Sequence, residues 1–473
     1  MSREKQLVKN TAIISIGTFF PKIVSMLLTP ILTAELTAAE FGQYDLIITI
    51  SSLLLPIATL QISSAAFRFL IEVRDSKEKS CSIISTIISF VVIVSAFVCA
   101  LFRTLIGEQF GSLGSFVVIY LFINSLLITI QQIARGLGYN LFYSISAMIF
   151  SAMDTIFIAL LLLCFRFQNG LLAVLFSMSL ASLLSLLFLV FKGEIYRYYR
   201  IRGTSISQLK KLLSYSWPMI PNNLSDWVLR LSDRMVITAF LGIEANAMYA
   251  VANKLPTIFT SFQTTFSLAW QENASIVSKD SDRDDYYTKM CDFIFKLLIG
   301  VMAMLIMCTP LIWKLLIRGS YEEAYYQLPV LYIAMMFSCM ASTIAGIYIA
   351  HMKTRNVGLS TMAAAILNLL IDLLLINKIG IWAGSISTLI SYLVLLIYRI
   401  VNVQKFQKIY FHKYQLVFGV LFLTVMACLN YLNNIYCFFI NILIGGLIIT
   451  IYDREVFAQV IRVIVGKVKK RIK

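Results

Sequence analysis

Runs of about twenty apolar residues recur along the whole chain, and this recurrence limits the fold before anything else does. A helix needs ~20 such residues to cross ~30 Å of hydrocarbon. Fourteen candidate spans result, at roughly 9–33, 43–67, 82–104, 115–134, 139–164, 170–191, 214–241, 245–269, 288–313, 325–350, 357–377, 380–401, 414–431 and 435–452. A transmembrane barrel would show strands of about ten residues with alternating polarity, which these runs do not have. The expected fold is an all-α polytopic membrane protein of about fourteen transmembrane helices. With 59% of its residues hydrophobic and 14% charged, the chain has more apolar surface than a soluble domain could bury. The opening MSREKQLVKN carries no short apolar core with a small-residue cleavage site, so no cleavable leader is expected.

The basic residues set the orientation. Of the 40 Lys and Arg, thirty fall at the termini and in every second loop, five in the intervening loops, and five inside spans. Cytoplasmic loops carry the excess of Lys and Arg, so both termini are placed in the cytoplasm. This distribution, basic residues punctuating apolar runs, also accounts for the net charge of +16 without invoking nucleic acid. The longest cytoplasmic connection, KGEIYRYYRIRGTSISQLKKLL, separates six spans from eight. It suits a membrane-surface helix or an ordinary basic linker equally. The expected organisation is an N-terminal lobe over 1–191, a linker over 192–213, a C-terminal lobe over 214–401, and two added spans with a basic tail over 402–473.

One span is out of keeping with the rest. SYSWPMIPNNLSDWVLRLSDRMVITAFL, residues 214–241, places Asn222, Asn223, Asp226, Arg230, Asp233 and Arg234 on one helical stripe roughly 120° wide. Four charges near mid-membrane cost on the order of 10–14 kcal/mol, against about 3–6 returned by roughly ten apolar residues. Alone in lipid this helix is unstable. It must be sheltered by other helices or face water, and it is the natural wall for a translocation path.

The same kind of departure occurs in three other spans. Span one carries Thr11, Ser15, Thr18, Lys22, Ser25 and Thr29 on one face, and span eight carries Lys254, Thr257, Ser261 and Thr264. Span two ends at Arg68. Rows of Ser and Thr by themselves suit close helix packing, but a buried cation needs an anion. Six of the eight prolines, Pro21, Pro30, Pro56, Pro218, Pro221 and Pro256, lie in spans one, two, seven and eight. A shift of 205 residues overlays span one on span seven, as expected of parallel repeats about an axis along the membrane normal. The internal anions are Asp154, Asp226, Asp233 and Asp372; Asp226 stands four residues from Arg230 and can pair with it. Lys296 lies one turn from Asp292 and close enough to the cytoplasmic surface to snorkel. A modestly cationic cavity remains, suited to a phosphate-bearing or otherwise anionic cargo.

Catalytic and cofactor classes find no support. No GxxxxGK[ST] loop is present, His351 and His412 have no partner motif, and the eight cysteines form no CxxC pair, so neither a metal nor a cofactor is expected. Short outer loops argue against a polymerase or ligase acting on a lipid-linked glycan.

Three stretches carry a family resemblance: LVKNTAIISIGTFFPKIVSMLLTPILT followed by FGQYDLI, SWPMIPNNLSDWVLRLSDRMVIT, and AMYAVANKLPTIFTSFQTTFSLAWQENA. Through them the whole chain resembles the bacterial lipid-linked oligosaccharide flippases of the multidrug/oligosaccharidyl-lipid/polysaccharide exporter superfamily. The resemblance implies two six-helix lobes around a central cavity plus two C-terminal helices, in the bacterial cytoplasmic membrane. It implies movement of undecaprenyl-pyrophosphate-linked oligosaccharide to the outer face for O-antigen, capsule or exopolysaccharide assembly, alongside a polysaccharide polymerase and chain-length proteins. Lys22, Arg68, Arg230, Arg234 and Lys254 would then meet the pyrophosphate. Proton or sodium coupling, proposed in the superfamily, would fall to Asp154, Asp226, Asp233 and Asp372. The competing expectation is a small-molecule antiporter of the multidrug-extrusion type, whose cationic substrates call for a more acidic cavity than these residues make.

Overall fold

The computed structural model describes residues 3–452 apart from 75, 106–110, 112, 201–202, 279 and 433. The side chains of Thr11, Ser15, Asn222 and Ser261, and the basic tail beyond Tyr452, lie outside what it describes. The regular structure is helical, in two compact units, Met1–Thr238 and Ala239–Lys473.

The first unit contains α1 (Arg3–Glu35), α2 (Ala38–Thr59), α3 (Ile62–Val73), α4 (Lys77–Leu105), α5 (Leu113–Gly136), α6 (Asn140–Ala159), α7 (Gly170–Lys192), α8 (Ile206–Ser216) and most of α9 (Met219–Leu241). Thr37 caps α2: its hydroxyl accepts from the Glu40 amide, and the Glu40 carboxylate accepts in return from the Thr37 amide. The other Glu40 oxygen accepts from the amide of Gly170, so one carboxylate serves the first turns of both α2 and α7.

The expected second span is broken in two. Leu60 and Gln61 both take left-handed backbone conformations, with φ of 44° and 55°, and α2 ends there. Pro56, one turn earlier, has no N–H for the carbonyl of Ser52, which weakens the last turn. The emergent α3 lays Ala65, Ala66 and Leu70 against Ile130, Ile133 and Ala134 of α5. Arg74 follows it and donates to the carbonyls of Arg135 and Gly136, closing the end of α5. Arg135 in turn lies over the rings of Phe67 and Tyr143. The basic linker is a docked segment: Leu209, Leu212 and Leu213 of α8 pack into the same core, with Ser205 as N-cap. The leucine face of α8 is therefore covered by protein, while Ile206 at its start stays exposed.

The second unit contains α10 (Ile243–Val277), α11 (Arg283–Leu316), α12 (Glu322–Ala350), α13 (Thr354–Ile379), α14 (Trp382–Val403), α15 (Lys413–Tyr431) and α16 (Ile435–Tyr452). The central helix is α12, buried along nearly its whole length and packed against α10, α11, α13, α14 and α15. Gly346 lets the Trp270 ring of α10 approach, since a Cβ there would stand 2.6 Å from it. The indole N–H donates to the Thr343 carbonyl at 2.7 Å. Arg399 of α14, which is not among the charges singled out in the sequence, is buried at 4% exposure. It donates to Ser360 Oγ, Thr361 Oγ1 and the carbonyls of Ala341 and Val357. Two residues from the expected end of its span it read as a loop cation; the real helix runs on to Val403 and keeps it inside.

Among the described residues, twelve helices are long and apolar enough to cross a membrane. The outward side of α16 shows why they need one. Phe439, Leu443, Leu447 and Ile451 repeat every four residues and are 57%, 72%, 52% and 63% exposed, a continuous apolar ridge that water would not tolerate. The chain is a multi-pass membrane protein. The expected spans seven and eight, α9 and α10, are not among the twelve. They have the length, 23 and 35 residues, but too many polar and charged positions.

Candidate functional site

The stripe on α9 divides into two halves. Toward the helix start, Asp226 and Arg230 are open, with side chains 48% and 49% exposed, and the Arg230 Nε–H donates to Asp226 Oδ1 at 3.0 Å. Arg230 stands eleven residues along a helix of 23, close to its middle. One turn further, Asp233 is 2% exposed, and the Arg234 side chain is 11% exposed.

Arg234 meets Asp45 of α2, with Nε and Oδ2 2.9 Å apart. Asp45 is missing from the anions identified in the sequence, although it stands in the FGQYDLI stretch. The expected second span begins at 43, which would leave Asp45 two residues from its end. The helix begins at Ala38, so Asp45 lies seven residues inside, ~10 Å from the end. Arg234 lies seven residues from the end of α9. Trp227, two turns back along α9, donates from Nε1 to Ser52 Oγ at 3.0 Å and to the Thr49 carbonyl at 3.3 Å. Residues descend α9 as they ascend α2, so the two helices run antiparallel and in matched register.

Beside Asp45 is Tyr44, which shares an electrostatic neighbourhood with Tyr120 of α5 and Asp154 of α6. Oδ1 of Asp154 is buried with no hydrogen-bond partner among the described residues, and Asn124 donates to the Tyr120 hydroxyl at 3.2 Å. Within the first unit, Tyr44 thus lies between the Asp45–Arg234 contact and the buried carboxylate of Asp154.

The remaining expected residues fall elsewhere. Lys22 is exposed on α1, one turn past Gly17, where the helix packs against Ser144 of α6. Arg68 is half exposed and pairs with Glu72 at 2.7 Å. In the second unit, Lys254 is partly buried on α10, and Asp372 is fully buried on α13. One turn before Asp372, Asn368 donates to Ser387 Oγ at 3.3 Å and to Thr388 Oγ1 at 3.4 Å. The hydroxyls of Thr29, Thr257 and Thr264 donate to carbonyls of their own helices. Lys296 pairs with Asp292 at 2.6 Å, and Asp292 also meets Nδ1 of His412, a partner the sequence had not suggested.

This helical arrangement is a fold shared with solved membrane transporters. The lipid II flippase MurJ in its inward closed conformation matches with a TM-score of 0.70 and 20% identity, over 95% of this chain and 99% of that one. An inward-facing multidrug resistance MATE family transporter of the MOP superfamily matches at 0.64 and 14%, over 88% and 95%. A MOP superfamily transporter from Pyrococcus furiosus, whose binding pocket is described as having reversed polarity, matches at 0.56 and 14%, over 84% and 96%. No curated protein matches in sequence. The family model described as polysaccharide biosynthesis protein matches residues 7–270, more than half of the chain, and the chain belongs to that family.

Proposed function

We propose that the protein is a flippase that carries undecaprenyl-pyrophosphate-linked oligosaccharide repeat units from the cytoplasmic to the outer face of the bacterial cytoplasmic membrane by alternating access. One observation carries this reading: in a family of polysaccharide biosynthesis proteins, the half-exposed guanidinium of Arg230 stands midway along α9. A cation at that depth is costly and is kept where it meets an anion. Its planar fork suits phosphate oxygens better than an ammonium would. Within the first unit Lys22 and Arg68 supply further positive charge, and Arg234 joins them when it leaves Asp45; Lys254 is the candidate cation of the second unit.

In this reading α9 and α10 also cross the bilayer, giving fourteen spans with both termini in the cytoplasm. The antiparallel pairing of α2 and α9 supports opposite senses for spans two and seven, as the loop charges require. The lipid tail stays among membrane lipids while the headgroup crosses, and a polymerase with chain-length proteins receives the product for O-antigen, capsule or exopolysaccharide. The cycle draws on a proton or sodium gradient through buried carboxylates, with Asp154, Asp233 and Asp372 as candidates and Asp226 as the exposed fourth. The test is Arg230→Ala in cells where the inserted, folded variant is quantified. Surface polysaccharide should fall at least tenfold; undiminished polysaccharide would remove the headgroup role.

A further inference from the structure

Arg230 and Arg234 stand one turn apart, and each faces a carboxylate, yet the two pairs are built differently. Arg230 and Asp226 share a helix and an aligned hydrogen bond, with both side chains about half exposed. Arg234 and Asp45 join two helices and are 11% and 9% exposed. Their nearest atoms are 2.9 Å apart, but neither Nε of Arg234 nor Oδ2 of Asp45 makes a hydrogen bond, although both atoms are buried. Among the described residues no second carboxylate is paired with Arg234. Such a contact carries the desolvation of two charges without the aligned hydrogen bonds that normally offset it. It is held by attraction between opposite charges alone, and a better anion can displace it.

We propose that Asp45 is a resident counter-ion of Arg234 that is exchanged for the diphosphate of the cargo. The inference rests on the headgroup reading above and adds the residue that competes with the headgroup. A diphosphate arriving at exposed Arg230 is about 5.4 Å, one helical turn, from Arg234. It offers several charged oxygens to a guanidinium that now has one misaligned contact, and two parallel N–H···O bonds replace it. Exchange removes the charged link described between α2 and α9 and leaves a neutral one, Trp227 to Ser52 and Thr49. Anion binding is thereby converted into release of α9 from α2. Asp45 is a positioning residue in this scheme: it sets how tightly the anion must bind before α9 is released.

The experiment uses the full chain in lipid nanodiscs and inorganic pyrophosphate as the probe. Asp45→Asn should tighten pyrophosphate binding about tenfold, equivalent to about 1.4 kcal/mol, and Asp45→Asn with Arg234→Gln should abolish that gain. In the wild type, pyrophosphate should speed hydrogen–deuterium exchange over residues 45–52 of α2; in the double variant it should not. A purely structural role for Asp45 predicts no gain in affinity. Unchanged affinity in Asp45→Asn, or a gain that survives loss of Arg234, overturns the exchange. Arg230→Gln separates this from the headgroup reading. If Arg230→Gln weakens binding while Asp45→Asn leaves it unchanged, only the exchange falls. If neither substitution alters binding, the headgroup reading falls with it. Should Asp45→Asn fail to insert, the reciprocal pair Asp45→Arg with Arg234→Asp restores the contact. It should insert and bind pyrophosphate no tighter than the wild type; tighter binding overturns the proposal.

Discussion

Two buried arginines, Arg399 in the second unit and Arg234 in the first, have solved the same problem in opposite ways. Arg399 is surrounded by neutral acceptors from α12 and α13, two carbonyls and two hydroxyls, with donor–acceptor distances of 2.9 to 3.3 Å. Its charge is dispersed over groups that cannot leave, because each is fixed to a packed helix. Arg234 faces one carboxylate, itself buried, without an aligned hydrogen bond. A cation held by several aligned acceptors is architecture; one held by a single anion without an aligned hydrogen bond is held more weakly. The contrast teaches that burial of a charge in a membrane helix does not by itself mark a site. The kind of partner does.

The largest effect that would test the contrast is on Arg399. Arg399→Ala removes the donors for Ala341, Val357, Ser360 and Thr361 at once and leaves a cavity between three helices. It should destabilise the second unit by about 3–5 kcal/mol, enough to reduce the folded, inserted fraction sharply in size-exclusion and thermal unfolding assays. Retention of wild-type unfolding behaviour would make Arg399 no more than a tolerated cation.

Next in size is the coupling between Asp45 and Arg234. A double-mutant cycle with Asp45→Ala and Arg234→Ala, read by thermal unfolding, should give a coupling of about 1–2 kcal/mol. A value near that expected for a fully aligned buried pair, above about 3 kcal/mol, would mean that the contact is a structural lock. Arg234 would then belong beside Arg399.

These two arginines also mark how far the sequence could be read. The membrane class was legible, because twenty-residue apolar runs have one physical outcome. So was the charged face of α9, because its cost in lipid could be estimated before any contact was known. The pairing of Arg234 with Asp45 was not legible: 189 positions separate them in the chain, and helix periodicity says nothing about which helix lies alongside. Arg399 was missed for a local reason, since an arginine near a span end reads as a snorkelling loop residue. The break at Leu60–Gln61 gave no warning either, because neither residue is the glycine that left-handed backbone favours. Pro56 precedes it by one turn, and a proline weakens a helix without fixing where it ends.

A smaller effect on stability, with a large one on transport, is expected at Arg230. Its pair with Asp226 is an i,i+4 contact between half-exposed groups, a type that contributes about 0.3–0.5 kcal/mol. Arg230→Ala should therefore leave the unfolding midpoint almost unchanged while surface polysaccharide falls. A large loss of stability would put its role in the helix rather than in the cargo.

The smallest effect is expected at Lys289, and it is the control that gives the Arg230 result its meaning. Lys289 and Asp285 are also an i,i+4 pair, at 3.7 Å with both side chains 79% exposed, near the start of α11. Pairs of this kind commonly contribute nothing measurable. Lys289→Ala removes one positive charge from the chain, as Arg230→Ala does, but from its surface rather than from the middle of the charged helix α9. If both reduce polysaccharide export alike, the phenotype follows total charge or membrane orientation, and the case for Arg230 is lost. If Lys289→Ala exports as the wild type does at equal protein level, the loss in Arg230→Ala belongs to the depth and exposure of that one guanidinium.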